Sequence, residues 1–373
     1  MFVPALFSSL AIRRALLAAL LAGTAAAPAN AEIRIGASLP LSGDFELLGR
    51  QALDAMKVAA ANFSGDTVTI VEADDACETQ GGQDAAVALQ EAAVEIVIGY
   101  ICTEAADGGL PALKEDALTA LVIGARTASL TETAEKNGWK LLRIAPAARH
   151  EREAVGAILS RQWRDVPFAI IDDGTLYGRE LAEGLRFAAE ENGLKPVFVD
   201  TFRPQLDNQV ALVRRLQKAG ATHVFIGGDA ADAAVIGADA ARLGVPLTLA
   251  GGDTFRASPL DVELPEGTLM VSTPDWATTL QANDAAFALQ RAGVSADGYA
   301  LPAHAAVELA AHALHAAHSG GQTLQDALRQ GDVATALGVL RFDAIGDLVD
   351  NPFRLFIYDR GAFRPVDDTA VSN

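Results

Sequence analysis

Basic residues are scarce in this sequence: 29 Lys and Arg stand against 48 Asp and Glu, a net charge of −19. Such a balance repels nucleic acid and anionic membrane surfaces, so neither is expected as a partner. Long apolar runs are missing after the N-terminus, and no later segment reaches the roughly 20 residues of a membrane span. Nucleotide-binding signatures are missing too, since "GGDAADAAVIG" lacks the required glycine spacing. No G-x-S-x-G elbow or H-E-x-x-H helix occurs. No nucleophile and base fall together at the strand ends described below. An enzyme, a cofactor and a resident metal are therefore not expected.

Cysteine is almost absent, with Cys77 and Cys102 alone. Neither lies near the end of the leader-like segment 1–31, so a lipid-modified N-terminus is not expected. That segment has Arg13 and Arg14, then an apolar run, then Ala29-Asn30-Ala31. This order fits a cleavable secretory signal, and the run is short for an anchor. An exported chain can hold a disulfide, and the even count allows one; two free core thiols is the other reading. A bridge closing this loop is worth about 3 kcal/mol in the chain-entropy model.

What remains is apolar and regular. Half the residues are hydrophobic and only 6% aromatic, while glycine is plentiful at 33 residues. That composition suits a packed α/β protein rather than a disordered chain. A length of 373 residues exceeds what one core usually organises, so two domains are expected. From Glu32 the pattern alternates. "IRIGASL" predicts a strand, and "LLGRQALDAMKVAAANF" a helix with Leu53, Met56, Ala60 and Phe63 on one face. "DTVTIVEADD", "VEIVIGY" and "LTALVIGA" continue as strands between helical segments. A second cycle starts near residue 150, with "VPFAIIDDG", "KPVFVDTF", "THVFIGG" and "PLTLAGG" as strands. "RIAPAARHE" and "VSTPDWA" are the expected crossings, "PAHAAVELAAHALHAAH" a long helix and "NPFRLFIYD" a late strand. Strands spaced by helices imply parallel sheets covered on both faces.

Open parallel sheets bind ligands at the carboxyl ends of their strands. Those ends are Ser38–Ser42, Asp74–Cys77, Gly99–Thr103, Ala125–Thr127, Asp172–Tyr177, Gly227–Asp229 and Gly251–Asp253. They are rich in glycine, hydroxyls and carboxylates and poor in histidine. Thr103 sits where a strand turns into a helix, a place where backbone N–H groups and a hydroxyl can hold a carboxylate. Thr103, Thr127, Asp253 and Asp229 could equally be helix or turn caps, and for Asp229 the cap is preferred. Tyr177 could be a surface aromatic. His304, Glu308, His312 and His315 form one helical stripe, but it is too long for a single ion. A solvated face is expected there, with Val307, Ala311 and Leu314 buried beside it and His304 nearest the cleft.

"IRIGASLPLSGDFELLGRQALDAM", "VEADDAC", "IVIGYICT", "ARTASLT" and "IIDDGTLYGREL", taken in order, resemble the leucine/isoleucine/valine-binding proteins. These are type I periplasmic solute-binding proteins of ABC importers, and the likeness spans nearly all the chain after residue 31. The resemblance implies two Rossmann-like lobes joined by three crossings, 32–147 plus 274–347 and 148–273 plus 348–373, closing on a small ligand. It implies that Cys77 pairs with Cys102. It assigns the ligand carboxylate to Thr103, Ala125 and Thr127, the ammonium to Asp253, and aromatic contacts to Tyr177 and Tyr299. It further implies a monomer in the periplasm that hands an amino acid or similar carboxylate to inner-membrane permease subunits. A sensor not coupled to a permease is left open. Three positions depart from the family: Asp229 replaces an aromatic residue, Leu48 a tyrosine, and Arg126 a small residue. An added acid and an added base argue against a plain leucine-like ligand.

Overall fold

A computed structural model describes residues 32–256 and 263–366. The leader-like segment 1–31 lies outside the described residues. In chain order the strands are β1 Glu32–Leu39, β2 Thr67–Asp74, β3 Ile96–Gly99, β4 Thr119–Val122, β5 Lys140–Arg143, β6 Phe168–Asp172 and β7 Phe198–Thr201. They continue as β8 His223–Gly227, β9 Thr248–Gly251, β10 Leu269–Ser272, β11 Ala334–Thr335, β12 Gly338–Val339, β13 Arg354–Asp359 and β14 Ala362–Pro365. The helices are α1 Glu46–Asn62, α2 Thr79–Glu91, α3 Thr103–Leu113, α4 Leu130–Asn137, α5 Ala148–Gln162 and α6 Leu176–Glu191. They end with α7 Val210–Ala219, α8 Ala230–Arg242, α9 Asn283–Ala292, α10 Ala300–His318 and α11 Leu324–Arg329.

Two sheets organise the molecule. The first runs β2-β1-β3-β4-β5 and is parallel throughout. The second runs β14-β13-β10-β9-β8-β6-β7, parallel except for β13 and β14 at one edge. Parallel pairing requires a crossover for each step, which the intervening helices supply. The inner strand β3 reads as a continuous apolar run because each of its faces is covered: Ile96, Val97 and Ile98 are fully buried.

The α1 face expected to be apolar is the one buried. Leu53 and Met56 pack with Ile33, Ile35 and the α10 residues Val307 and Leu314. Although α9 to α11 fall in sequence between strands of the second sheet, β10 and β13, they cover the first: Ala282, Leu289 and Leu301 cluster with Ala55 of α1. The chain thus passes between the sheets three times, after β5, after β10 and through residues 341–353. At the last passage Asp347 bridges to Arg143 beside β5 and Phe353 enters the second core. The third passage was not singled out from its residues, because it has neither a glycine-rich linker nor an apolar period.

Candidate functional site between the lobes

The carboxyl ends of both sheets face a cleft of about 500 Å³. Ile123, Gly124 and Arg126 line it from the loop after β4, Asp253 and Arg256 from the short 3₁₀ turn after β9. Trp276 and Tyr299 add aromatic walls.

Of the expected ligand contacts, Asp253 and Tyr299 line this cavity. Thr103 and Thr127 are not among its lining residues, but they meet each other: their hydroxyls are 2.7 Å apart. Thr103 opens α3, so the pair stands at a helix N-terminus with free backbone donors. Ala125 is buried and spends its N–H on the Tyr100 carbonyl, at 3.0 Å. Leu48 is half-buried on α1 and comes near Gly298 at the cavity edge. Asp229 caps α8, where its Oδ1 accepts the Asp232 N–H at 2.9 Å.

Tyr177 turns to a partner the sequence did not reveal. Its hydroxyl donates to Glu151 Oε1 at 2.6 Å. Glu151, on the first turn of α5, is 2% exposed. The same Oε1 accepts the Asp253 N–H at 2.8 Å, and Oε2 accepts Arg126 Nη2 at 3.0 Å. Burial pushes the Glu151 carboxyl above its usual range, while the Tyr177 hydroxyl, the Asp253 amide and the Arg126 charge oppose that shift. Burial and the Glu151 charge raise the Tyr177 phenol, which stays a donor.

Arg126 joins the lobes. Its Nε donates to the Pro146 carbonyl at 3.1 Å and its Nη1 to Asp253 Oδ2 at 3.4 Å. Its guanidinium lies over the Phe353 ring, 5.4 Å from the centroid. Ser272 donates its hydroxyl to Asp253 Oδ1 and receives Arg256 Nη2 at 2.7 Å. A continuous chain therefore crosses the cleft: Arg256, Ser272, Asp253, Arg126, Glu151, Tyr177.

A glycine makes the close packing of this chain possible. A Cβ on Gly252 would lie 2.5 Å from Tyr177 Oη and 2.6 Å from Glu151 Oε1. Gly252→Ala is expected to force these buried groups apart and cost about 1–3 kcal/mol, as overpacking does. Thermal unfolding of the variant checks it; an unchanged melting temperature would show that the site yields freely.

The remaining expectations divide. Cys77 and Cys102 form a disulfide with Cα atoms 5.3 Å apart. The histidine stripe is solvated only in part. His312 and His315 are exposed, but His304 is 4% exposed and sits in a recess with Phe63 and Glu308, away from the cleft. The reason is that α1 lies across this end of α10. His315 pairs with Asp66 at 2.8 Å, and no group of three or more metal-ligating side chains exists among the described residues.

Comparison with known proteins agrees with this architecture. The family model described as periplasmic binding protein matches residues 32–362. A Leu/Ile/Val-binding protein homologue of Brucella melitensis is 27% identical over 348 residues, covering 90% of this chain and 94% of that one. An ABC transporter substrate-binding protein from Desulfitobacterium hafniense, solved with Leu, superposes with a TM-score of 0.68 at 22% identity. The overlap covers 90% of this chain and all of that one. A solute-binding protein of an ABC transporter from Rhodopseudomonas palustris, solved with p-hydroxybenzoic acid, gives 0.67 at 17% identity, covering 90% and 96%.

Proposed function

Because this chain belongs to the periplasmic binding protein family, whose members bind solutes rather than transform them, we propose that it is the solute receptor of an ABC importer. It is exported to the periplasm, takes a small carboxylate-bearing molecule between two lobes, and presents the closed form to permease subunits. Among the described residues the lobes are 32–147 with 274–347, and 148–273 with 348–366. Its relatives bracket the ligand class: one neighbour is solved with leucine, another with p-hydroxybenzoic acid, and both ligands carry a carboxylate.

The observation that carries the reading is the two-walled cleft itself, closed from opposite sheets by Arg126 and Asp253. Beside it, the Thr103 and Thr127 hydroxyls, 2.7 Å apart at the start of α3, supply neutral donors for a carboxylate. Closure around a solute is a hinge motion about the three passages.

The test is titration calorimetry of the chain from Glu32 with L-leucine, 4-methylpentanoate and 4-hydroxybenzoate. At least one should bind, and Thr127→Ala should weaken it by roughly 10- to 100-fold, the loss of a hydrogen bond to a charged group. The exposed position of Thr127 predicts an unchanged melting temperature. Binding that survives Thr127→Ala intact would remove this residue from the site.

A further inference from the structure

We propose that the cleft selects carboxylates that carry no ammonium group, because Arg126 occupies the acids that an ammonium would need. The inference rests on the solute-receptor reading and narrows its ligand class.

An ammonium taken out of water requires acceptors, and one left without them is costly. The acid that the family resemblance assigns to that task is Asp253. Both its oxygens are engaged: Oδ2 by Arg126 at 3.4 Å, Oδ1 by the Ser272 hydroxyl. The second acid, Glu151, has a side chain 3% exposed, and both its oxygens are likewise taken, one by Arg126 and the other by Tyr177 and the Asp253 amide. Arg126 is itself fixed by the Pro146 carbonyl and the Phe353 ring, so it is seated rather than reaching. Two other acids line the cavity, Asp275 and Asp297, but both are exposed to water, where an ion pair contributes little.

The opposite charge is provided for. Arg256 lines the same cavity, is exposed to water as Asp275 and Asp297 are, and bonds only neutral acceptors, the Ser272 hydroxyl and the Thr273 carbonyl. Among the described residues no carboxylate lies within ion-pair distance of it. A carboxylate entering the cleft therefore meets a guanidinium with charge to spare. An ammonium meets two guanidinium groups, two occupied acids and only the water-exposed Asp275 and Asp297.

Matched pairs read this out directly: L-leucine against 4-methylpentanoate, and L-phenylalanine against 3-phenylpropanoate, by calorimetry and thermal shift. In at least one pair the acid without the amine should bind at least tenfold more tightly. Arg126→Met, which keeps the stem over Phe353 but frees Glu151 and Asp253, should shift that ratio at least tenfold toward the amine. Glu151 left alone could unfold that variant, so Arg126→Met/Glu151→Gln, with Asp253 still free, is measured beside it. Tighter binding of the amino acid to the unaltered protein overturns the proposal while leaving the receptor reading intact. So does an unchanged ratio in a folded variant. If no member of either pair binds, and 4-hydroxybenzoate does not, the carboxylate-receptor reading falls and takes this inference with it. The unaltered protein decides even where neither variant folds.

Discussion

Asp347→Ala is expected to cost about 3–5 kcal/mol, the penalty for leaving a buried cation without its partner. Arg143 is fully buried at the end of β5, and Asp347 is 1% exposed. Asp347 Oδ1 accepts Arg143 Nε at 2.7 Å. Its Oδ2 accepts the Thr131 hydroxyl at 3.1 Å and a bond from Arg149 on the first turn of α5. One carboxylate thus bridges two guanidinium groups, Arg143 from β5 and Arg149 from α5. Burial pulls the Arg143 guanidinium down in basicity and Asp347 pulls it back up. Without Asp347, Arg143 keeps the Thr127 carbonyl at 2.5 Å but loses its counter-charge; Asp343 remains 3.6 Å from Arg149 and is too far to serve both. Urea unfolding should show the loss, and Asp347→Asn, which keeps one acceptor, should lose less. The cluster stands where two of the three passages meet, so the same variant should loosen the hinge. Small-angle scattering without ligand should then give a larger radius of gyration. A midpoint within 1 M urea of the unaltered protein, given an m-value of about 1–3 kcal/mol/M, would show that water relieves Arg143.

Neither Arg143 nor Asp347 was legible as a pair. In the sequence Arg143 ends an apolar strand and reads as an exposed cation, and its partner is 204 positions away. Glu151 was missed for the same reason: it ends "RIAPAARHE", which reads as a crossing between domains, and its burial comes from Tyr177 and Asp253, which close over it from distant parts of the chain. Local rules worked where the physics is local. Asp229 and Asp232 have cap spacing and form a cap. Alternation located the parallel strands of both sheets. The strand-end rule names Thr103, Thr127 and Asp253 as candidates, but it cannot say which of them face one another. His304 shows the limit on helices: spacing places it on the stripe, while its burial is decided by α1. Arg126 was visible as a departure from the family, and its direction was not, since only the second lobe supplies Glu151 and Asp253.

Replacing both cysteines, Cys77→Ser with Cys102→Ser, should cost about 3 kcal/mol through the loop of 25 residues that the bridge closes. The effect should also reach the end of the site proposed to hold the carboxylate. The bridge ties the turn after β2 to the residue before Thr103. Both turns hold unusual backbone: Ala76 has φ 49°, Cys77 58° and Tyr100 55°. Non-glycine residues in this region cost on the order of 1 kcal/mol each, so the turns persist only while neighbouring contacts hold them. One such contact is fully buried Asp75, which accepts the Cys77 N–H at 3.0 Å and the Ser38 hydroxyl at 3.1 Å. Another is Gly99, at φ 155°, whose missing Cβ would strike the Ser38 carbonyl at 1.8 Å. With the bridge gone, the turn before α3 is released from one side, and the 2.7 Å contact between Thr103 and Thr127 depends on that turn. The expected result is a lower urea midpoint together with weaker binding of whichever probe acid the unaltered protein takes. Reduction of the native protein should reproduce both effects. A loss of stability with affinity untouched would mean that Asp75 and Gly99 hold the rim alone, and two reactive thiols in the native protein would show that the bridge does not form.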